Sequence, residues 1–118
     1  MIVDDEPTLV ELVTAILEQK GFEVISAYNG KECLNKLKTV EPDLILMDMM
    51  MPEMSGRETV EKIREDPKTK NLKIVFLTVA RFAETGKDIL TKLNVVDYIT
   101  KPFDNADIVA RVKKALKA

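Results

Sequence analysis

Residues 43–56 read Asp43-Leu44-Ile45-Leu46-Met47-Asp48-Met49-Met50-Met51-Pro52-Glu53-Met54-Ser55-Gly56. Leu44 to Met47 are apolar without alternation, the pattern of a strand covered on both faces, as in a parallel sheet. The run stops at an acid, Asp48, and a loop marked by Pro52 and Gly56 follows. Parallel neighbours need crossover connections, and the sequence supplies them on either side. Upstream, Met1-Ile2-Val3 is a short apolar stretch closed by Asp4-Asp5-Glu6-Pro7. Leu9, Leu12, Val13, Ile16 and Leu17 then recur at helical spacing and predict an amphipathic helix from about residue 7 to about residue 20. Pro7 suits its first turn, and Gly21 a left-handed C-terminal cap. Phe22 to Ala27 reads as a second strand and Asn29-Gly30 as a turn. Cys33, Leu34, Leu37 and Val40 form the buried side of a second helix ended by Pro42. Downstream, Val60 and Ile63 face inward from a short third helix broken at Asp66-Pro67. Ile74 to Leu77 reads as a fourth strand, Ile89, Leu90 and Leu93 as a fourth helix, and Val95 to Ile99 as a fifth strand. Ile108, Val109, Val112, Ala115 and Leu116 mark a final helix with Asp104 as its N-cap.

Strand and helix thus alternate five times with a period of about 20 to 25 residues, the spacing of βα units. Right-handed crossovers turn that alternation into a doubly wound, five-stranded parallel sheet with helices on both faces, an α/β fold. The 118 residues suit one domain, spanning 1–118, around one core and leave no room for a two-domain enzyme. Three residues are short for a central first strand, so further residues ahead of Met1 are expected. With 46% apolar and 32% charged residues the chain is ordinary globular material, and a net charge of −2 argues against nucleic-acid binding driven by charge. The charge is uneven: residues 1–59 carry a net −7 and the remainder +5, which places acidic chemistry early. There is no histidine, and Cys33 is the single cysteine. Histidine catalysis, histidine metal ligation and an intrachain disulfide are therefore excluded, and a reducing compartment fits. No apolar run approaches the roughly 20 residues of a membrane span, and Asp4, Asp5 and Glu6 stand where a signal peptide needs a basic start. The expectation is a cytoplasmic chain with no membrane contact.

In open parallel sheets ligands bind beyond the carboxyl ends of the strands. Those ends carry Asp4 and Asp5 after the first strand, Asp48 after the third, Thr78 after the fourth and Lys101 after the fifth. Two carboxylates about 4 Å apart repel by about 4 kcal/mol at an effective dielectric of about 20, so the cluster calls for a cation. Oxygen donors without His or Cys favour Mg²⁺, Mn²⁺ or Ca²⁺ over zinc, and Mg²⁺ fits best because it takes few carboxylates, several waters and a phosphate. Lys101 would supply a point charge for that phosphate and Thr78 a hydroxyl donor. Singly, each of these residues has an ordinary reading: acids at a helix N-terminus, a strand-ending turn residue, a strand-end hydroxyl. Their convergence on one edge singles them out. Met47, Met49, Met50, Met51 and Met54 lack the thioether spacing or the Cys or His partner of a soft-metal site and read as core and loop lining. Cys33 lies on an apolar helix face and is expected to be buried and inert. Arg111, Lys113, Lys114 and Lys117 complement the dipole of the final helix without a nucleic-acid partner.

Four segments in order, Ile2 to Pro7, Asp43 to Gly56, Leu77-Thr78 and Asp97-Tyr98-Ile99-Thr100-Lys101-Pro102-Phe103, resemble the receiver domains of two-component response regulators. The resemblance spans the chain and implies a flavodoxin-like (βα)5 fold with strand order 2-1-3-4-5. It implies that Asp48 is the phosphoacceptor, taking a phosphoryl group from a phosphohistidine on a sensor kinase or a histidine phosphotransfer protein. Asp5, Asp48 and the Met50 carbonyl would hold Mg²⁺, or Mn²⁺ in its place, with Asp4 acting through the metal's water. Lys101 and Thr78 would meet the phosphoryl oxygens, and Tyr98 would swing inward with Thr78. The output would be a changed surface on the fourth helix, fifth strand and fifth helix, read by a downstream protein or an attached effector domain. Such a domain catalyses its own phosphorylation and dephosphorylation rather than turning over a free substrate. Asp97, Asp107 and Arg111 resemble charged positions that pair between copies in dimerising receivers. Three positions depart from the family pattern. Val79 stands where Ala or Gly is general and narrows access to the phosphoryl group. Asn94-Val95 replaces a common Gly-Ala, with Asn able to keep the left-handed cap. Gly86 weakens the fourth helix by up to about 1 kcal/mol relative to Ala. The alternative is a receiver-fold scaffold that no longer accepts phosphate. A small phosphatase using an Asp nucleophile is disfavoured, since Met50 occupies the position where that class carries a second Asp.

Overall fold

The computed structural model describes residues 1–79 and 91–118. Its strands are β1 (Ile2–Val3), β2 (Ser26–Ala27), β3 (Ile45–Asp48), β4 (Ile74–Val79) and β5 (Asp97–Lys101). They form one parallel sheet in the order β2-β1-β3-β4-β5. The helices are α1 (Pro7–Gln19), α2 (Gly30–Lys36), α3 (Gly56–Glu65) and a C-terminal helix (Asn105–Lys117).

Alternate side chains of each strand point to opposite faces, so the continuous apolar runs feed two interiors instead of the single core expected. Ile2, Leu46, Val75, Leu77 and Ile99 pack under α1 (Val10, Val13, Ile16, Leu17) and the C-terminal helix (Ile108, Val109, Val112, Ala115). Val3, Ala27, Ile45, Met47, Ile74 and Phe76 pack under α2 (Cys33, Leu37) and α3 (Val60, Ile63). Cys33 is fully buried, and that burial pushes its thiol up to about 12, which keeps it protonated and inert.

The helix boundaries follow local chemistry. Pro7 opens α1, and Gly21 behind it holds φ at +89°, a left-handed conformation that costs a glycine least. Asn29 caps α2 through its side chain, Ser55 and Glu58 form a reciprocal capping box on α3, and Asp104 caps the C-terminal helix, its Oδ1 accepting from the Asp107 N–H at 2.7 Å. Asn94 keeps the left-handed turn at φ 54°.

Several expectations need correction. The second strand covers Ser26–Ala27 and not Phe22 to Ala27, because its register with β1 begins at Ile2↔Ser26, with the Ile25 carbonyl accepting from the Ile2 N–H at 2.8 Å as the first link. α2 ends at Lys36, short of Pro42: the Lys38 and Thr39 N–H groups bond three residues back, to Asn35 and Lys36, and tighten the chain into a turn. The fifth strand begins at Asp97, two residues late. Leu12, placed on the buried stripe, is 48% exposed. The expected helix at Ile89 and Leu90, and Gly86 within it, lie outside the described residues; Leu93 packs against the cluster beneath α2 and α3.

Candidate functional site

Parallel register aligns the carboxyl ends of the central strands. Val3 lies beside Met47, Asp48 beside Leu77, Thr78 beside Thr100 and Val79 beside Lys101. Asp4 follows β1 directly, Asp48 ends β3 and Lys101 ends β5, so the residues meet at one sheet edge. The strand order reverses between β1 and β3, the point where such folds bind ligands.

The loop after Asp48 is drawn tight against the sheet. The Met49 N–H donates to the Leu77 carbonyl at 3.0 Å, and the Gly56 N–H donates back to the Met49 carbonyl at 3.0 Å. A Cβ at residue 56 would fall on the Asp48 carbonyl oxygen, so only glycine lets α3 begin this close behind the acid. The Met50 N–H donates to Asp48 Oδ1 at 3.3 Å, which holds its backbone beside the carboxylate while its side chain is 54% exposed.

Asp4 is fully buried. Its Oδ1 accepts from the Glu6 N–H at 3.0 Å and its Oδ2 from Lys101 Nζ at 2.9 Å. The same ammonium donates to Asp48 Oδ1 at 3.3 Å and lies 3.9 Å from the Glu6 carboxylate. Asp5 is exposed, and one oxygen from each of Asp4, Asp5 and Asp48 comes within 4.8 Å of the others. Burial, with the charge of Asp4 added, pushes Asp48 up from 3.8 to about 6, while Lys101 and the Met50 N–H pull the other way. Burial also works against the Lys101 charge, but its bond to Asp4 and the charges of Asp48 and Asp4 outweigh it and hold the ammonium above its ordinary value. One ammonium facing three carboxylates leaves the pocket negative, and its donors are all oxygen. That set fits a hard divalent cation such as Mg²⁺ and offers nothing to a soft one.

Of the remaining predicted residues, Thr78 shares the sheet edge of this centre, whereas Asp97 lies at the amino end of β5, away from it. Thr78 is buried, and its hydroxyl donates to the Met49 thioether at 3.8 Å and the Val79 carbonyl at 3.3 Å. Tyr98 is half-buried against the cluster beneath α2 and α3. Asp97, Asp107 and Arg111 pair within the chain. Arg111 reaches Asp97 Oδ2 at 3.1 Å, the Tyr98 carbonyl at 3.2 Å and Asp107 at 3.6 Å, tying the C-terminal helix to β5. Sequence reasoning missed two neighbours: Glu6 as a third carboxylate near Lys101, and Met49 as the partner of the Thr78 hydroxyl. The acid triplet Asp4-Asp5-Glu6 carried a signal for the first; nothing in the sequence marked the second.

Fold and pocket together define a class: an open α/β sheet with an acidic, oxygen-only pocket and a lysine at its switch point. The sequence matches the response regulator receiver domain over residues 1–113. It is 37% identical over 117 residues to the alkaline phosphatase synthesis transcriptional regulatory protein PhoP of Bacillus subtilis, covering 99% of this chain and 48% of that protein. It is 38% identical over 112 residues to hybrid signal transduction histidine kinase D of Dictyostelium discoideum, covering 95% of this chain and 7% of the kinase. The chain therefore spans about half of one curated relative and a small part of the other. Among solved structures it is similar to the Vibrio cholerae chemotaxis protein CheY4, with a TM-score of 0.90, 27% identity and coverage of 97% and 94% of the two chains. It is also similar to a CheY-like receiver domain protein of Methanospirillum hungatei, with a TM-score of 0.87, 35% identity and coverage of 99% and 92%. The chain belongs to the response regulator receiver domain family, the receiver component of two-component signalling.

Proposed function

We propose that this domain accepts a phosphoryl group on Asp48 from a phosphohistidine of a sensor kinase or histidine phosphotransfer protein. The observation that carries the reading is the meeting of Asp4, Asp5 and Asp48 oxygens within 4.8 Å beside the Lys101 ammonium. Both hydrogen bonds to Asp48 fall on Oδ1, and among the described residues none falls on Oδ2, the oxygen left to attack. With its value at about 6, Asp48 is still ionised in the main near pH 7, the form that attacks. As the O–P bond forms the P–N bond breaks; the nitrogen keeps the electron pair and, because the other ring nitrogen of the phosphohistidine carries a proton, the donor leaves as neutral imidazole. Mg²⁺, or Mn²⁺, held by Asp5, Asp48 and the Met50 carbonyl with Asp4 behind its water, would supply charge neutralisation at the phosphoryl oxygens. Lys101 offers a point charge to the same oxygens, and the Thr78 hydroxyl exchanges its weak thioether partner for one of them. Tyr98 follows Thr78 inward, and the face of β5 and the C-terminal helix, together with the fourth helix expected from the sequence, carries the change to a target or effector domain. The site of action is the cytoplasm, where a donor kinase is found. Homodimerisation through Asp97, Asp107 and Arg111 would require these three to exchange intrachain partners for those of a second copy.

Intact mass after incubation with acetyl phosphate or phosphoramidate, with and without Mg²⁺, tests the reading. The expected result is a Mg²⁺-dependent gain of one phosphoryl group that Asp48→Asn abolishes; undiminished labelling of the variant overturns the assignment. Val79 favours the second reading, a scaffold without phosphate chemistry, because a β-branched, partly exposed side chain follows Thr78 directly. It is supported if wild type gains no mass and Val79→Ala does not restore the gain.

A further inference from the structure

Arg64, in the last turn of α3, has no carboxylate partner among the described residues. Its guanidinium instead donates to four backbone carbonyls. Nε meets Leu93 O at 2.8 Å, Nη2 meets Asn94 O at 3.1 Å, and Nη1 meets Lys70 O at 2.9 Å and Leu72 O at 2.7 Å. These carbonyls belong to two turns far apart in sequence. Lys70 and Leu72 lead into β4 at Ile74, and Leu93 and Asn94 lead into β5 at Asp97. Asn94 is the left-handed residue of its turn, and Val96 beyond it donates to the Ile74 carbonyl at 2.9 Å. One planar fork of five donors therefore fixes the amino ends of both strands relative to α3. Their carboxyl ends hold Thr78, Val79, Thr100 and Lys101, at the sheet edge where Lys101 meets the acids.

We infer that Arg64 is an anchor that pins the amino ends of β4 and β5 through four carbonyls, so that rearrangement on phosphorylation is confined to their carboxyl ends. The confinement rests on Asp48 phosphorylation; the anchor itself does not. Lysine cannot replace it, because a single ammonium offers three donors from one point and the four carbonyls lie on two separate turns.

Amide hydrogen exchange on wild type, Arg64→Lys and Arg64→Ala, each checked for folding by circular dichroism, tests both parts. Without a phosphoryl donor, both variants are expected to exchange at Asn94–Val96 and Leu72–Ile74 about tenfold or more faster, while Leu46 and Met47 keep their protection. Unchanged protection at the two turns, or full rescue by lysine, overturns the anchor. If Arg64→Ala does not fold, Arg64→Lys decides. With acetyl phosphate and Mg²⁺, wild type is expected to change exchange at Thr100–Phe103 and not at Leu93–Val96, and the variants at both. A wild-type change at Leu93–Val96 overturns the confinement. Absence of a mass gain defeats the phosphoacceptor reading and with it the confinement, and leaves the anchor to be decided by the first arm.

Discussion

Asp48 shows how a single side chain is set against its own fold. In the folded chain it holds its proton up to about pH 6, against 3.8 for an unperturbed carboxylate. The raised value means that the favourable contribution of the protonated form is complete below pH 3.8 and is lost as pH rises through about 6. Two units correspond to about 3 kcal/mol at this nearly buried group, so about 1 to 3 kcal/mol of strain remains at neutral pH without metal. Asp48→Asn removes the charge and keeps the shape. In EDTA at pH 7.5 the variant is expected to be more stable than wild type by that amount in urea unfolding, with the gap closing below pH 4. A less stable variant at pH 7.5 would show that attraction to Lys101 exceeds the burial cost. This residue was legible in the sequence because an acid ended a continuously apolar run, and Asp4, Asp5 and Lys101 were legible by the same rule. Arg64 was not, since its partners are backbone carbonyls and carry no side-chain signature.

Elements place these residues, and the contact of α3 with β3 is the tightest placement. Gly56 begins α3 where a Cβ would fall on the Asp48 carbonyl and the Met49 backbone. Gly56→Ala must push the loop away from β3, at a cost of about 1 to 3 kcal/mol typical of overpacking. It displaces the Met50 N–H from Asp48 and should slow phosphoryl incorporation in a mass-gain time course. Ser55→Ala is the matched control: it removes the α3 cap, costs about 1 kcal/mol, and leaves the Asp48 carbonyl undisturbed. Equal incorporation rates for Gly56→Ala and Ser55→Ala, once both are folded, would show that close approach has no bearing on the site. The order of elements was readable from periodicity and their caps from residue type. Boundaries were not, for a reason visible in β2: Phe22 and Val24 have strand-like side chains, but a strand also needs a partner, and the register with β1 begins only at Ser26. Leu12 fails in the same way, since spacing says which face a residue shares and not how far the neighbouring element extends over it.

At the scale of the molecule, the sheet gathers onto one edge acids that are separate in sequence, and no local packing relieves their repulsion. Lys101 balances one charge, which leaves an oxygen-lined pocket whose occupation by a divalent cation should stabilise the whole fold. A ligand that binds only the folded state adds about 2.7 kcal/mol at a hundredfold excess over its Kd, and for a chain of this length that is roughly a 10 °C rise in Tm. The choice of variant separates binding from screening. Asp4 is buried and bonded to Lys101, so replacing it disturbs the fold itself. Asp5 is exposed, so Asp5→Asn should leave the metal-free Tm within a degree or two of wild type. Thermal melts across a Mg²⁺ titration at constant ionic strength are expected to show a rising Tm for wild type and a flat one for Asp5→Asn, with KCl in place of Mg²⁺ giving no rise in either. Relief of repulsion by diffuse ions would act on both proteins alike, because screening depends on ionic strength and not on which carboxylate is present. Parallel curves for the two proteins would therefore remove Asp5 from the cation site and with it the argument that the pocket is built for a metal.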